Sequence, residues 1–347
     1  MTRLGKLANG LILTALVAGL VVAGAGALPV VLSPVDQSSE QTTYEEFEPE
    51  TIVSEPLAST GTITPDKSLT DTTGEVLIDT SASNRFGRTD IQPMVTAFNE
   101  VGYDTTLDAE SDFEEKLTTA DALVIIDPGS AYSEDQLDEI ESFLNSGGRV
   151  VVLGEPNRVS VSVGLFGSSL QETQSDLTSF ESKFGLQFNT EYVYDQSNND
   201  GNYRRPIVSP HDDASLSPAD TLGDAEDIVL YTPTEVQSTN DAEPVLVTSP
   251  SAKQSGTDRT GSRTVAVRDG NLLAVGDSSF IGAERHNVGD NDIFLAAVVE
   301  FLVSGDRTLD IPTVDESDGD SADAPANETD DNSGDAAAVG SVRIQSY

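Results

Sequence analysis

Two kinds of hydrophobic pattern alternate along residues 75–305. Short continuous apolar runs, which are typical of buried strands, are separated by stretches in which apolar residues recur every three or four positions, as in a helix that buries one face. The clearest strands are "EVLIDT" (75–80), "ALVIIDPG" (122–129) and "RVVVLG" (149–154). This alternation predicts an α/β domain built on an open, mostly parallel sheet with helices on both faces.

The helical stretches carry recognisable start and stop signals. Ser133 is followed three residues later by Gln136, which predicts a capping box at the start of a helix, and Gly147–Gly148 ends that helix. Three further helices are predicted: from Asp90 as the cap to Val101, around 168–184 before Gly185, and over about 291–304 before Gly305.

The segment "RTVAVRDGNLLAVGD" predicts a C-terminal β-hairpin. Two alternating runs meet at Asp269–Gly270, and this dipeptide is a strong signal for a tight turn. Residues 186–245 are harder to interpret, because polar loops interrupt short apolar runs such as "DIVLY" and "PVLVTS".

The N-terminal segment predicts a location outside the cytoplasm. After Arg3 and Lys6 the chain is uncharged to Val35, and its 19-residue apolar core, 10–28, is long enough to span a bilayer as a helix. We expect residues 1–6 in the cytoplasm, a single transmembrane helix at 7–32 and the remainder outside the cell. The alternative is a signal peptide cleaved near Ala27, which would leave a secreted protein.

Two polar segments flank the predicted α/β domain at 75–305. Residues 33–74 are rich in Ser, Thr, Glu and Pro, which predicts a disordered stalk. Residues 306–347 form an acidic tail that we also expect to be disordered, and within it Asn327 begins a sequon for N-glycosylation.

Charge and composition narrow the function. The 60 acidic residues outnumber 18 basic ones and give a net charge of −42, which excludes the basic stripe that nucleic-acid binding requires. So large an excess is tolerated best where molar salt screens repulsion, as in a halophilic archaeal protein. The absence of Cys and the presence of only two His exclude thiol chemistry and multi-histidine metal sites.

Candidate functional residues follow the predicted strands, because ligands of open α/β sheets bind beyond the carboxyl ends of the strands. The acids at these ends have two interpretations. They either form a cluster that binds a divalent ion or performs acid–base chemistry, or they stabilise turns and form ion pairs with nearby arginines. Arg85 and Arg88 either pair with Asp79 or Asp90 or clamp an anionic ligand, and the adjacent pair Arg204–Arg205 either binds surface acids or forms a contact site. The ligand-crevice candidates are Asp79, Asn84, Arg85, Arg88, Asp127, Glu155, Asn157, Asp277 and Ser278.

The stretch "ADALVIIDPGSAYSEDQLDEIESFLNSGGRVVVLGEPN" (120–157) resembles the glutamine-amidotransferase-like domain of GldG-type ABC-transporter accessory proteins. It resembles more closely a haloarchaeal extracytoplasmic domain-of-unknown-function family built on that domain. The resemblance covers about 75–304 and implies a flavodoxin-like, glutamine-amidotransferase-like fold and a membrane-protein partner. Class I amidotransferases carry a Cys on the turn that here reads Glu155–Pro156, and a His-x-Glu pair that is missing after Asp277. The resemblance therefore implies the scaffold without its chemistry.

From these observations we expect a membrane-anchored, extracytoplasmic, non-enzymatic binding or accessory domain that partners a membrane transport or surface-assembly complex. We assign it no catalytic residue, metal ligand or cofactor, and no nucleic-acid partner. The alternative is a carboxylate- or divalent-metal-dependent hydrolase at the carboxyl ends of the strands.

Overall fold

A computed structural model describes residues 56–69, 73–107, 113–164 and 167–307. The predicted membrane segment 7–32, the first part of the predicted stalk and Asn327 in the acidic tail lie outside these residues. None of the helices formed by the described ranges combines the length and the apolar character that crossing a membrane requires.

The two hydrophobic periods of the sequence produce helices and strands that alternate over the first half of the domain. The strands are β1 Gly74–Ile78, β2 Tyr103–Leu107, β3 Ala122–Ile126, β4 Arg149–Leu153, β5 Arg158–Gly164, β6 Gly167–Thr173, β7 Leu186–Tyr194, β8 Ile207–Pro210, β9 Ile228–Val229, β10 Thr234–Ser238, β11 Glu243–Thr248, β12 Lys253–Gln254, β13 Thr264–Asp269 and β14 Leu272–Val275. The α-helices are α1 Arg88–Glu100, α2 Phe113–Thr119, α3 Glu134–Asn145, α4 Thr178–Phe184 and α5 Asn291–Val303.

The main sheet has nine strands in the order β2-β1-β3-β4-β14-β13-β11-β8-β9. Its first five strands are parallel, and every later neighbour is antiparallel, so the predicted mostly parallel sheet is a mixed one. The predicted hairpin β13–β14 causes the change, because β14 lies parallel to β4 in the middle of the sheet while β13 returns antiparallel. The hairpin is therefore a central part of the sheet rather than an appendage.

Side chains alternate between the two faces of the sheet and form two hydrophobic cores. Along β1, Val76 and Ile78 face one core, where α1 and α5 pack, while Leu77 faces the other, where α2, α3 and α4 pack. Helices thus cover both faces, as the sequence predicts. The five parallel strands follow the spatial order 2-1-3-4-5 of doubly wound sheets, in which ligands bind at the carboxyl edge.

The start and stop signals are confirmed in part. Ser133 caps α3, and its Oγ accepts a hydrogen bond from the Gln136 N–H at 3.3 Å. The predicted cap Asp90 is wrong by three positions: α1 begins after Gly87, and the Asp90 carboxylate accepts the Gly87 N–H at 2.7 Å from the first turn.

The predicted helix around 168–184 is also wrong over its first half. Residues 167–173 form β6, which pairs antiparallel with β5. Only α4 is helical, and it ends at Gly185, whose left-handed conformation with φ of 68° matches the predicted stop. Pairing with β5 takes precedence here over the weak helical spacing, because β5 and β6 satisfy each other's backbone groups along their whole length.

Residues 56–69, which the sequence assigns to the stalk, lie against the domain. Ser59 forms a β-bridge with Val288, and the Ile63 side chain is buried in the core that contains α5. The Asp66 N–H donates to Glu300 on α5 at 2.8 Å. The ordered unit therefore begins before β1.

Candidate functional site

The strand-end acids lie along one edge of the parallel half of the sheet. Ile126 is paired with Leu153 and Leu153 with Val275, so that Asp127, Glu155 and Asp277 follow at this same edge. Asp79 follows β1 on the other side of β3. All four acids are buried, with exposures between 0 and 7%.

Asp79 and Asn84 fix the loop that follows β1. The Asp79 carboxylate accepts hydrogen bonds from the Tyr132 hydroxyl and, at 2.7 Å, from the Ser81 N–H. Asn84 Nδ2 donates to the Ile126 carbonyl at 3.0 Å, and its Oδ1 accepts the Ala82 N–H at 3.1 Å. These two candidates serve the structure of the loop, as Asp and Asn side chains commonly do in turns.

Arg85 pairs with Asp127 rather than with the expected Asp79 or Asp90. Its Nε and Nη2 donate to the two carboxylate oxygens at 3.1 and 2.6 Å, and the Ser175 hydroxyl donates to Asp127 at 2.6 Å. Asp127 has a φ of 38°, in the left-handed region that few non-glycine residues adopt. The fork of Arg85 thus neutralises one strand-end acid, while Arg88 is exposed at the first position of α1.

Glu155 and Asp277 form a buried carboxyl pair. Glu155 Oε1 accepts the Ser278 N–H at 3.0 Å and the Ser278 and Ser279 hydroxyls at 2.6 and 3.1 Å, and the second oxygen pairs with Arg158. Asp277 accepts the N–H groups of Tyr231 and Ser279 at 2.6 and 2.7 Å.

Burial controls the titration of this pair. Desolvation and the charge of Asp277 raise the pKa of Glu155 to about 8, despite the opposing effects of Arg158 and Ser278. Desolvation raises the pKa of Asp277 as well. Because two buried like charges repel, we expect the pair to hold a proton near neutral pH.

A cavity of about 460 Å³ opens at this edge of the sheet. Of the sequence candidates, Arg85, Asp127 and Ser278 line it, and Glu155, Asp277, Asp79, Asn84, Arg88 and Asn157 do not. The Asn157 N–H instead donates to the Thr190 carbonyl at 2.9 Å. Two arginines that are not among the crevice candidates, Arg158 and Arg285, also line this cavity. Its lining therefore contains more guanidinium groups than the list of candidates predicts.

A second cavity of about 220 Å³ shares Arg158, Ser279 and Arg285 with the first. Its remaining lining residues are Asn202, Arg204, Arg205, Tyr231 and Thr232. The sequence singles out Arg204–Arg205 but gives no sign that Arg285 and Tyr231 join this pair. The chain has only 13 arginines, and five of them line these two cavities. The scarcity of arginine in the sequence was therefore the one signal that could have pointed to these residues.

The acids do not assemble into a recognisable metal centre. Within the described ranges, no three or more His, Asp or Glu side chains are grouped so that they could hold a metal ion. The strand-end carboxylates are instead engaged by hydroxyls, backbone N–H groups and arginines.

A family model described as an ABC-type uncharacterized transport system (ABC_transp_aux) matches residues 61–266, which is more than half of the chain. The chain belongs to this family. The match extends from the segment before β1 into β13, so it includes part of the lining of each cavity, while Ser279 and Arg285, which line both, lie beyond it. It is consistent with the resemblance to GldG-type accessory proteins.

Solved structures add information about the fold alone. The mmIFT52 N-terminal domain has a TM-score of 0.50 and 14% identity, and the match covers 67% of this chain and 98% of that domain. A protein assigned as a GMP synthase subunit from Thermoplasma acidophilum has a TM-score of 0.35 and 12% identity over 65% of this chain and 92% of that one. The α-L-fucosidase isoenzyme 2 from Paenibacillus thiaminolyticus has a TM-score of 0.38 and 15% identity. This match covers 66% of this chain and 32% of that enzyme. No curated protein matches the chain.

Proposed function

We propose that this member of the transport family is a non-enzymatic binding subunit of an ABC-type transport system. In this proposal residues 7–32 anchor the chain in the membrane, and the α/β domain, a glutamine-amidotransferase-like scaffold without a thiol, faces the outside in molar salt. The family match supports the transport role. The apolar N-terminal run and the acidic composition support the location and the salt adaptation.

One observation carries the non-enzymatic part of the proposal. The Glu155–Asp277 pair, which has the raised pKa values that acid–base chemistry uses, does not line either cavity. A general acid or base must come within hydrogen-bond reach of the substrate or of one bridging water. Both carboxyls instead accept hydrogen bonds from the residues around them, and these contacts hold the loop that begins at Asp277.

Partner capture tests this proposal. In crosslinking and pull-down from native membranes in molar KCl, we expect the full-length chain in the membrane fraction, with one or two dominant membrane proteins of an ABC-type system. Glu155→Gln and Asp277→Asn should capture these partners at wild-type levels, because neither carboxyl reaches a cavity wall. Loss of capture by a variant whose thermal unfolding is unchanged would contradict a binding role in which this carboxyl pair takes no part.

A second candidate is a carboxylate-dependent hydrolase, with or without a divalent ion. One contact favours it: the Ser278 hydroxyl lines the larger cavity and donates to Glu155 at 2.6 Å, as a nucleophile does to its base. Against it, Glu155 already accepts three hydrogen bonds and pairs with Arg158.

Calorimetry tests the metal-dependent form of the hydrolase. We expect no stoichiometric heat when Mg²⁺, Ca²⁺ or Mn²⁺ is titrated into the full-length chain in detergent and molar KCl, because arginine or hydroxyl groups hold the strand-end acids. A stoichiometric site that disappears in Asp79→Asn or Asp127→Asn, but persists in a variant of an exposed acid such as Glu115→Gln, would favour the hydrolase.

A further inference from the structure

The smaller cavity is a concentrated positive surface on a strongly acidic protein. Four arginines line it, Arg158, Arg204, Arg205 and Arg285, and none of its lining residues is Asp or Glu. The whole chain carries a net charge of −42. The four guanidinium groups create a positive electrostatic potential in the cavity, whereas the net charge of the chain is negative. A positive potential attracts anions.

Two of these arginines are held by aromatic rings rather than by carboxylates. The Arg285 guanidinium lies 4.5 Å from the centre of the Tyr231 ring, and that of Arg204 lies 4.9 Å from Tyr192. Over the described ranges, neither arginine forms an ion pair with an acidic side chain. Arg204 also donates from Nε and Nη2 to the Tyr203 and Tyr192 hydroxyls at 3.2 and 3.4 Å. The charge of Arg285 acts on the buried Asp277. Stacking orients a guanidinium group without placing a carboxylate against it, so both arginines keep N–H groups for an anion.

The other two arginines are partly neutralised. Arg158 pairs with Glu155, and its Nη2 donates to the Ser279 hydroxyl at 3.0 Å. Arg205 lies 3.6 Å from the Asp200 carboxylate, and its guanidinium is also 5.4 Å from the centre of the Tyr231 ring. The Tyr231 ring is thus in contact with both Arg205 and Arg285, and it holds these two guanidinium groups near each other in the cavity lining.

Backbone strain marks the same wall. Thr232 has a φ of 63°, a left-handed conformation that is rare for a β-branched residue. Its N–H donates to the Arg204 carbonyl at 2.7 Å and so links the strained residue to the arginine loop. Strain of this kind is concentrated at ligand clamps and similar functional sites.

We propose that this cavity binds a tetrahedral oxyanion group, a sulfate or a phosphate, either as the free ion or carried by a saccharide. Guanidinium groups bind such oxyanions through paired N–H···O contacts. A doubly charged group matches the two arginines that have no direct ion pair, Arg204 and Arg285, whereas a single carboxylate would compensate only one of them. Thr232 adds a hydroxyl donor to the lining. This assignment goes beyond the transport role and depends only on the cavity.

Calorimetry with sodium sulfate and sodium phosphate tests the proposal. The full-length chain in detergent should bind either ion saturably at one site in KCl of constant ionic strength. Arg285→Gln and Arg204→Gln should each weaken binding by about tenfold or more, because each removes a charged two-point contact. Arg285→Lys should bind more weakly than wild type but better than Arg285→Gln, since it keeps the charge and loses the planar fork.

Arg259→Gln is the matched control, because Arg259 is exposed and lines neither cavity. Its affinity should equal that of wild type. A disaccharide bearing one sulfate serves as the second arm: tighter binding than free sulfate identifies a saccharide-borne group, and equal binding identifies the free ion.

Three results would overturn the proposal. They are no saturable binding of any of these probes, an equal loss of affinity in Arg259→Gln and Arg285→Gln, and tighter binding of a glutamate-rich peptide than of the sulfated probes. Partner capture from membranes is a separate measurement, so failure of this proposal is distinguishable from failure of the transport role.

Discussion

Replacing Glu300 with alanine is expected to lower the free energy of unfolding by about 3 kcal/mol or more. Glu300 lies on α5 and is fully buried. Its carboxylate accepts the Asp66 N–H at 2.8 Å and the Ser217 and Thr221 hydroxyls, each at 2.6 Å. Alanine would leave the buried Ser217 hydroxyl without an acceptor and would also remove the acceptor of two donors nearer the surface, the Asp66 N–H and the Thr221 hydroxyl. An unsatisfied buried group costs about 1–3 kcal/mol, and each lost hydrogen bond to a charged group adds to this.

Urea denaturation at constant molar KCl measures this effect. Glu300→Gln should cost less than Glu300→Ala, because the amide keeps one acceptor and the two hydroxyls can rotate to accept from its NH₂ group. The control Glu115→Ala, on the exposed face of α2, should change stability by no more than about 0.5 kcal/mol. A Glu300→Ala variant as stable as this control would show that the three contacts contribute little.

The second large effect is a loss of stability as the pH rises towards 8. Burial and Asp277 raise the pKa of Glu155 from the ordinary 4.5 of a glutamate to about 8, so the folded state holds a proton that the unfolded state releases. A group with a raised folded-state pKa contributes its full stability below pH 4.5 and loses it as the pH rises through 8. At about 1.4 kcal/mol per pKa unit, the expected loss over the whole interval is on the order of 5 kcal/mol, and Asp277 acts in the same direction.

The most informative window lies between pH 6 and pH 8, because ordinary carboxylates have finished titrating there. We expect the unfolding free energy of wild type to fall across this window at constant KCl concentration, and that of Glu155→Gln to fall much less. Glu155→Gln should therefore gain stability relative to wild type at pH 8. Parallel curves for the two proteins would mean that Glu155 titrates normally in the folded state.

Local features of the fold were predictable because neighbouring residues decide them. The buried strands β1, β3 and β4, the capping box of α3 and the turn at Asp269–Gly270 follow from apolar runs and from the backbone preferences of single residues. The absence of a thiol from the chain is likewise known without any coordinates. The register of parallel strands also places the acids after these strands at one edge of the sheet.

Long-range partners were not predictable, because they depend on which distant strands become neighbours. Pairing with β5 turned residues 167–173 into β6 rather than the start of α4. The fork between Arg85 and Asp127 and the contact of Arg285 with Tyr231 each join residues more than forty positions apart.

The sequence by itself therefore determined the α/β class, the strand-end positions of the acids and the absence of a thiol. The tertiary structure alone decided which of its charges meet. It buried Glu155, Asp277 and Glu300 among donors and gathered scarce arginines around one cavity. The physical reason is that burial and charge pairing arise from the order of strands in the sheet, whereas hydrophobic periodicity records only which side of its own element a residue occupies.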